Sequence, residues 1–199
     1  MNTLLLSEIQ SEEKDLLQTL VLLEEHIFQV SSAEYQADGF EPTLDNLEVI
    51  IEQCQAVIAE IDSPLDQTEV LMNELYYQHL FIDEHKTNWP LSSFKVAPSL
   101  NQRLMSPIVK AVLVCEIINA CGFSADLVFV PNKVMVRLCC DEQYAIVFDA
   151  VTGESLDWHE LDLRLDELDG DPSQHEFLSM NRQAVLVEYL SSLKTALIR

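Results

Sequence analysis

Through most of the first eighty positions apolar residues recur every three or four places, the spacing of helices that bury one face. In residues 11–28 the stripe is Leu16, Leu20, Leu23 and Ile27. Ser11 is the expected N-cap there, with Glu12, Glu13 and Asp15 in the first turn, where the helix dipole favours acids. A stronger stripe opens at Thr43 and runs through Leu47, Ile50, Ile51, Cys54, Val57, Ile58 and Ile61. Ser63-Pro64 ends it and starts a third helix over 64–81, with serine as cap, proline at the first helical position, and Val70, Leu71, Leu75 and Tyr76 facing inward. The three helices predict one layer. Residues 82–98 hold Trp89-Pro90, Ser92-Ser93 and Ala97-Pro98 without periodicity, which predicts a long surface connection.

Ser106-Pro107 repeats the serine-proline device, with Ser106 as the expected cap. Ile108, Ala111, Val112, Cys115 and Ile118 then mark a helix over 107–121, mostly apolar and therefore buried, that ends at Gly122. Beyond it the period drops to two and β-branched residues take over, in Leu127–Val130, Val134–Leu138 and Tyr144–Phe148. The breaks at Pro131-Asn132 and Asp141-Glu142-Gln143 are short enough for hairpins, so an antiparallel meander on the 107–121 helix is the economical topology. A turn at Val151-Thr152-Gly153, a helix from Leu156 to Leu168, a break at Gly170-Asp171-Pro172 and an amphipathic helix from Asn181 to Leu197 complete the chain. The expected class is α+β: a helical layer with its connection over residues 1–98, and a buried helix on a small sheet with a C-terminal helix over 99–199, packed as one unit.

Composition narrows the function. Thirty-four acidic against eleven basic residues give a net charge of −23, a field that repels nucleic acid and anionic membrane. Most of the excess lies early, with 19 acids and 3 bases before position 100 against 15 and 8 after it. Such a face solubilises, and it would also attract a basic protein partner. There is no basic n-region at Met1–Gln10 and no apolar run of about 18 residues, so neither a secretory leader nor a membrane span is expected. Five cysteines, Cys54, Cys115, Cys121, Cys139 and Cys140, lack Cys-x-x-Cys spacing and sit mostly in apolar segments, as in a reducing cytoplasm.

Several short motifs occur in a meaningful order: Pro107-Ile108 at the start of the buried helix and Asn119-Ala120-Cys121-Gly122-Phe123 at its end, Val128-Phe129-Val130-Pro131, Val134-Met135-Val136-Arg137, and Asp149-Ala150-Val151-Thr152-Gly153-Glu154-Ser155-Leu156. In that order they resemble the SirB-type transglutaminase-like family of bacterial proteins, loosely over residues 44–199. Enzymes of the wider group place a cysteine at the N-terminus of the buried helix, a histidine on one strand and an aspartate on the next. The register of the resemblance puts those positions at Pro107, Lys133 and Asp149. Proline offers no nucleophile, and a lysine beside an aspartate is held protonated and is no base at neutral pH. Some relatives also lack the full triad. Many carry a C-terminal tetratricopeptide-type helical extension, whereas this sequence stops after one helix.

Replacement chemistry has few candidates. Cys115 lies two turns into the helix and Cys121 near its end, so neither gains the N-terminal dipole; Cys139 and Cys140 are adjacent on a strand and point to opposite faces. Ser106 at the helix start could pair with Lys110 or Lys133 as a serine-lysine dyad, although a capping serine before proline needs no catalytic explanation. His26, His79, His85, His159 and His175 are scattered, and Asp83-Glu84 with His79 and His85 lacks metal-ligand spacing; no metal or cofactor is expected. Asp149 could also simply cap backbone amides of the turn ending at Gly153. The sequence thus predicts a non-catalytic module that binds another protein, with a Lys133–Asp149 ion pair in place of a catalytic pair. The alternative is a cysteine- or serine-dependent amide hydrolase or acyl transferase using replacement residues in the same cleft.

Overall fold

The first helix, α1 (Leu16–Ser31), begins where Asp15 caps it: Asp15 Oδ1 accepts the Gln18 N–H at 2.6 Å. The computed structural model describes residues 15–31, 40–80, 85–130, 133–140, 145–156 and 179–198, so the expected cap Ser11 lies outside the described residues. The described helix starts at Leu16, where the acid next to the first apolar position does the capping. Helix α2 (Phe40–Ile58) starts three residues before the expected Thr43, with Pro42 in the first turn, where its missing N–H costs nothing. Ser63 and Pro64 start α3 (Pro64–Asn73) as predicted, Ser63 Oγ accepting the Asp66 N–H at 3.4 Å. The third helix does not stay regular to 81. It passes into a π-helical turn, Glu74–His79, in which the adjacent Leu75 and Tyr76 are both buried.

The expected surface connection over 82–98 is corrected more substantially. Residues 91–94 form a 3₁₀ turn, and α4 (Val96–Gln102) follows; Ser93, Phe94, Val96 and Ser99 are buried. Pro98 reads as a breaker in the sequence but lies in the first turn of α4, where proline is tolerated. The α4 N-terminus is satisfied from another helix: the buried Glu24 carboxylate of α1 accepts the Val96 N–H at 2.8 Å.

Helix α5 (Pro107–Ala120) is apolar on every side and accordingly buried almost throughout. It packs on the meander β1 (Ser124–Val130), β2 (Lys133–Cys139) and β3 (Ala145–Asp149), antiparallel in the order β1-β2-β3. The row Leu127, Val136 and Phe148, in register across the three strands, faces the main core. Val128, Met135 and Val147, one step along, pack with Leu156 on the opposite face, as the two-residue period requires. Cross-strand partners Asp126 and Arg137 form a two-point pair at 2.9 and 2.6 Å, and Ser179 joins it. The Met180 N–H donates to the Leu127 carbonyl at 2.7 Å, so residues 179–180 cover part of the β1 edge.

The last helix, α6 (Arg182–Ile198), is capped by Asn181, whose Oδ1 accepts the Ala184 N–H at 2.9 Å. It is not cleanly amphipathic as expected: Val185, Leu186, Tyr189 and Leu193 are buried, while Val187, Leu190, Leu197 and Ile198 are exposed. The expected helix from Leu156 to Leu168 and the break at Gly170-Asp171-Pro172 fall almost wholly outside the described residues. One apolar cluster draws Leu20, Cys54, Leu71 and Phe94 together with Ile117, Phe148 and Tyr189, from both sides of position 98. Among the described residues no helix is long and apolar enough to cross a membrane.

The turn after β3 sets the tightest steric demand. Gly153 has φ +76°, and a Cβ there would stand 2.7 Å from the Tyr76 ring; Gly122, at φ +93°, has nothing within 4 Å. Gly122→Ala should therefore cost only the left-handed backbone penalty, about 1–2 kcal/mol. Gly153→Ala adds the displacement of a buried ring, roughly 1–3 kcal/mol more. Chemical denaturation of both variants checks the order; equal losses would mean that Tyr76 yields freely.

Candidate functional site

The head of α5 opens into a cleft of about 530 Å³. The segment before the 3₁₀ turn supplies His85, Thr87, Asn88 and Trp89 to one wall, and Phe94 follows from the turn itself. Pro107 and Ile108 form the helix head, Lys133 and Val134 the start of β2, and Met180, Glu188, Ser192, Thr195 and Ala196 the far wall. The resemblance thus placed two of its three positions, Pro107 and Lys133, at the mouth of one cavity. No cysteine is among the described residues that line it.

Asp149, at the end of β3, lies under this cleft with its side chain 3% exposed. One oxygen, Oδ2, receives Lys133 Nζ at 3.0 Å and His85 Nε2 at 2.7 Å; the other, Oδ1, accepts the Val151 N–H at 2.8 Å. The expected Lys133–Asp149 ion pair is present, and so is the amide-capping role. Burial pushes the Asp149 carboxyl up, but hydrogen bonds from His85, Lys133 and the Val151 amide outweigh it and hold the group below its ordinary value. An ionised carboxylate only accepts, so His85 Nε2 carries a proton. The sequence gives His85 only a place in a cluster without metal-ligand spacing; in the structure its ring, 44% exposed, closes the top of the acid. No sequence signal marks this, because His85 sits in an aperiodic stretch, 64 residues from its partner.

The turn that holds Asp149 is anchored from below. The Asp149 carbonyl accepts the Gly153 N–H at 2.8 Å, and the Asp149 N–H donates to the Glu154 carbonyl at 2.9 Å. Tyr76 Oη donates to the Ala150 carbonyl at 3.0 Å, and Lys110 Nζ to the Val151 carbonyl at 2.8 Å. Burial, then the charge on Asp149, pushes the Tyr76 phenol well above its ordinary value, which keeps it a neutral donor.

The serine-lysine dyad is not assembled. Ser106 precedes α5 in extended conformation, but its hydroxyl makes no capping bond, is fully buried and has no hydrogen-bond partner; it does not line the cleft. Its backbone N–H donates to the Ser93 carbonyl at 2.8 Å, which turns the residue inward onto the 3₁₀ turn. Lys110 is aimed at the Val151 carbonyl and the Tyr76 ring, and Lys133 at Asp149. Cys115 is buried two turns down α5; burial first, then Asp126 and Glu116, pushes its thiol up. Cys139 ends β2, and Cys140, just past it, is buried and accepts the Thr68 hydroxyl at 3.5 Å. His79 pairs with Glu74 at 3.1 Å, whereas Asp83 and Glu84 lie outside the described residues, as do His159 and His175. His26, on α1, is half-buried.

The lowered Asp149 value gives a pH signature. A depressed carboxyl contributes stability in full above its unfolded value of 3.8, and that contribution is lost as pH falls through the folded value. The stability difference between wild type and Asp149→Asn should be flat above about pH 5 and shrink steadily below about pH 4. Urea titrations across that range check it; a difference independent of pH would mean the carboxylate charge is not what the site uses.

A match to the transglutaminase-like superfamily model covers residues 41–190, from α2 to the middle of α6. No curated protein and no solved structure matches the chain significantly. The matched span is well over half of the 199 residues and contains the buried helix, the whole sheet and most of the cleft lining; the chain belongs to the transglutaminase-like superfamily.

Proposed function

We propose that this chain is a non-catalytic, SirB-type transglutaminase-like module of the cytoplasm that uses its cleft to hold a segment of another protein. The observation that carries the reading is the state of Asp149. The acid at the family's orienting position is shared by Lys133 and His85, while the helix head above it presents the ring of Pro107. Acyl transfer by this fold needs an attacking atom at that head, and proline has none. What remains is a concave surface lined by apolar Trp89, Phe94, Ile108 and Val134 together with polar side chains, the composition of a binding site for side chains. The charge of −23 favours a basic segment, and Glu188 on the far wall supplies a carboxylate within the cleft. Five unpaired cysteines suit the reducing compartment.

One observation favours a second reading. His85 on Asp149 is the base-and-orienter half of a hydrolytic site, and Ser192 and Thr195 place hydroxyls on the same cleft. An amide hydrolase or acyl transferase built this way would use His85 as base. Removing such a base lowers the rate about 10²-fold or more.

Two measurements separate the readings. Peptide hydrolysis and amine incorporation should stay at the uncatalysed level for wild type, His85→Ala and Ser192→Ala alike; turnover by wild type that His85→Ala abolishes would establish the enzyme. A lysine- and arginine-rich decapeptide should shift the resonances of Trp89, Ile108 and Ala196, with binding weakened about tenfold on raising salt from 50 to 500 mM. A peptide that perturbs only surfaces away from the cleft removes the binding reading.

A further inference from the structure

Taking the cleft as a binding site, as proposed above, we infer that it receives a carboxyl terminus: the last residues of a basic protein tail lie in it, with the terminal carboxylate on Lys133 and the head of α5 and a lysine or arginine side chain on Glu188. The two charged groups stand on different walls. Lys133 comes from the start of β2 and Glu188 from α6, and both line the cavity of about 530 Å³, a volume in the range that encloses drug-sized ligands and so more than one residue.

The anion end is built from two elements. The Lys133 ammonium has three donors, of which Asp149 Oδ2 takes one at 3.0 Å, and the side chain is 26% exposed. Asp149 is also met by His85 Nε2 at 2.7 Å and by the Val151 N–H at 2.8 Å, so the lysine is not its sole donor. The first intrahelical bond of α5 runs from the Lys110 N–H to the Ser106 carbonyl at 2.9 Å, Pro107 has no N–H, and the Ser106 hydroxyl makes no capping bond. The Ile108 amide therefore gets no cap from its own serine, in a residue that is 1% exposed and lines the cleft. A buried N–H without an acceptor is costly, and an anion placed there also meets the positive end of the helix dipole. The charge of −23 disfavours acidic partners, and the anion that a basic tail carries of necessity is its own terminal carboxylate.

The cation end is oriented from its own helix. The Ser192 hydroxyl, one turn along α6, donates to Glu188 Oε1 at 3.1 Å, which leaves Oε2 for a lysine or arginine. The aliphatic stem of that side chain suits the rings of Trp89 and Phe94. With cation and anion sites on separate walls, one chain direction satisfies both.

Isothermal titration of the full chain with a lysine- and arginine-rich decapeptide, as the free acid and as the C-terminal amide, separates this from plain charge attraction. Amidation makes the peptide one charge more positive, so the net charge of −23 alone would tighten binding of the amide. The free acid should instead bind about tenfold tighter and move the Ile108 amide resonance further. Lys133→Met should remove the difference between the two peptides, and Glu188→Gln should weaken both alike. If Lys133→Met does not fold, the comparison on the wild type stands by itself. Equal affinities, or tighter binding of the amide, with Trp89 and Ile108 shifted by both peptides, overturn the inference and leave the binding reading in place; shifts confined to other surfaces end both. Free arginine that binds as tightly as the decapeptide also overturns it, because the cleft would then be a small-molecule site.

Discussion

Lys110 has no solvent exposure, and its ammonium donates to the Val151 carbonyl while facing the Tyr76 ring. A charge in that position is tolerated only where acceptors and a polarisable ring compensate for the water it has lost. Its bond to the Val151 carbonyl ties the turn after β3 to α5. Tyr76 holds the same turn from the π-helical segment, through the Ala150 carbonyl and through its ring against Gly153. Asp149 is at the root of that turn. Its position at the base of the cleft follows from two buried side chains on two different helices, and only then from the strand that carries it.

Asp149 in turn organises the mouth of the cleft. Two cationic or proton-bearing side chains from separate segments share one of its oxygens, and the other oxygen is used by the turn itself. Each added donor favours the ionised form, which explains why a nearly buried carboxyl is nonetheless lowered. The same sharing fixes the His85 ring against the acid, with Lys133 on the same oxygen.

The regular part of this fold was legible because it obeys simple periods. Helices α2 and α5, the start of α3 and all three strands appear near their expected bounds: a 3.6-residue stripe of large aliphatic residues and a β-branched alternation leave few competing folds. The Ser63-Pro64 device worked fully, while Ser106-Pro107 worked only in its proline: the Ser106 amide bonds the Ser93 carbonyl and its hydroxyl makes no capping bond. Helix α4 was missed since seven residues carry too little periodicity and Pro98 looks like a breaker. What stabilises α4 is a carboxylate from Glu24, 72 residues away, which no local pattern encodes.

The site divides along the same line. Pro107, Lys133 and Asp149 could be named from the sequence because they sit on the periodic elements, at positions the family resemblance could index; the structure sets Lys133 on Asp149 and lines one cleft with Pro107 and Lys133. His85 was not, although it makes the shorter of the two contacts to Asp149, because it reaches the acid from a segment whose course depends on tertiary packing. The 3₁₀ turn behind that segment is secured by two distant groups. The Ser106 amide bonds the Ser93 carbonyl, and Tyr189 Oη donates to the Phe94 carbonyl at 3.0 Å from α6. Each tie comes from an element that also lines the cleft, so the wall bearing Trp89 and the wall bearing Glu188 are coupled through Phe94 and Tyr189. A ligand that spreads the cleft must therefore disturb a buried aromatic pair, which favours occupants that fit the existing width over those that need it to open.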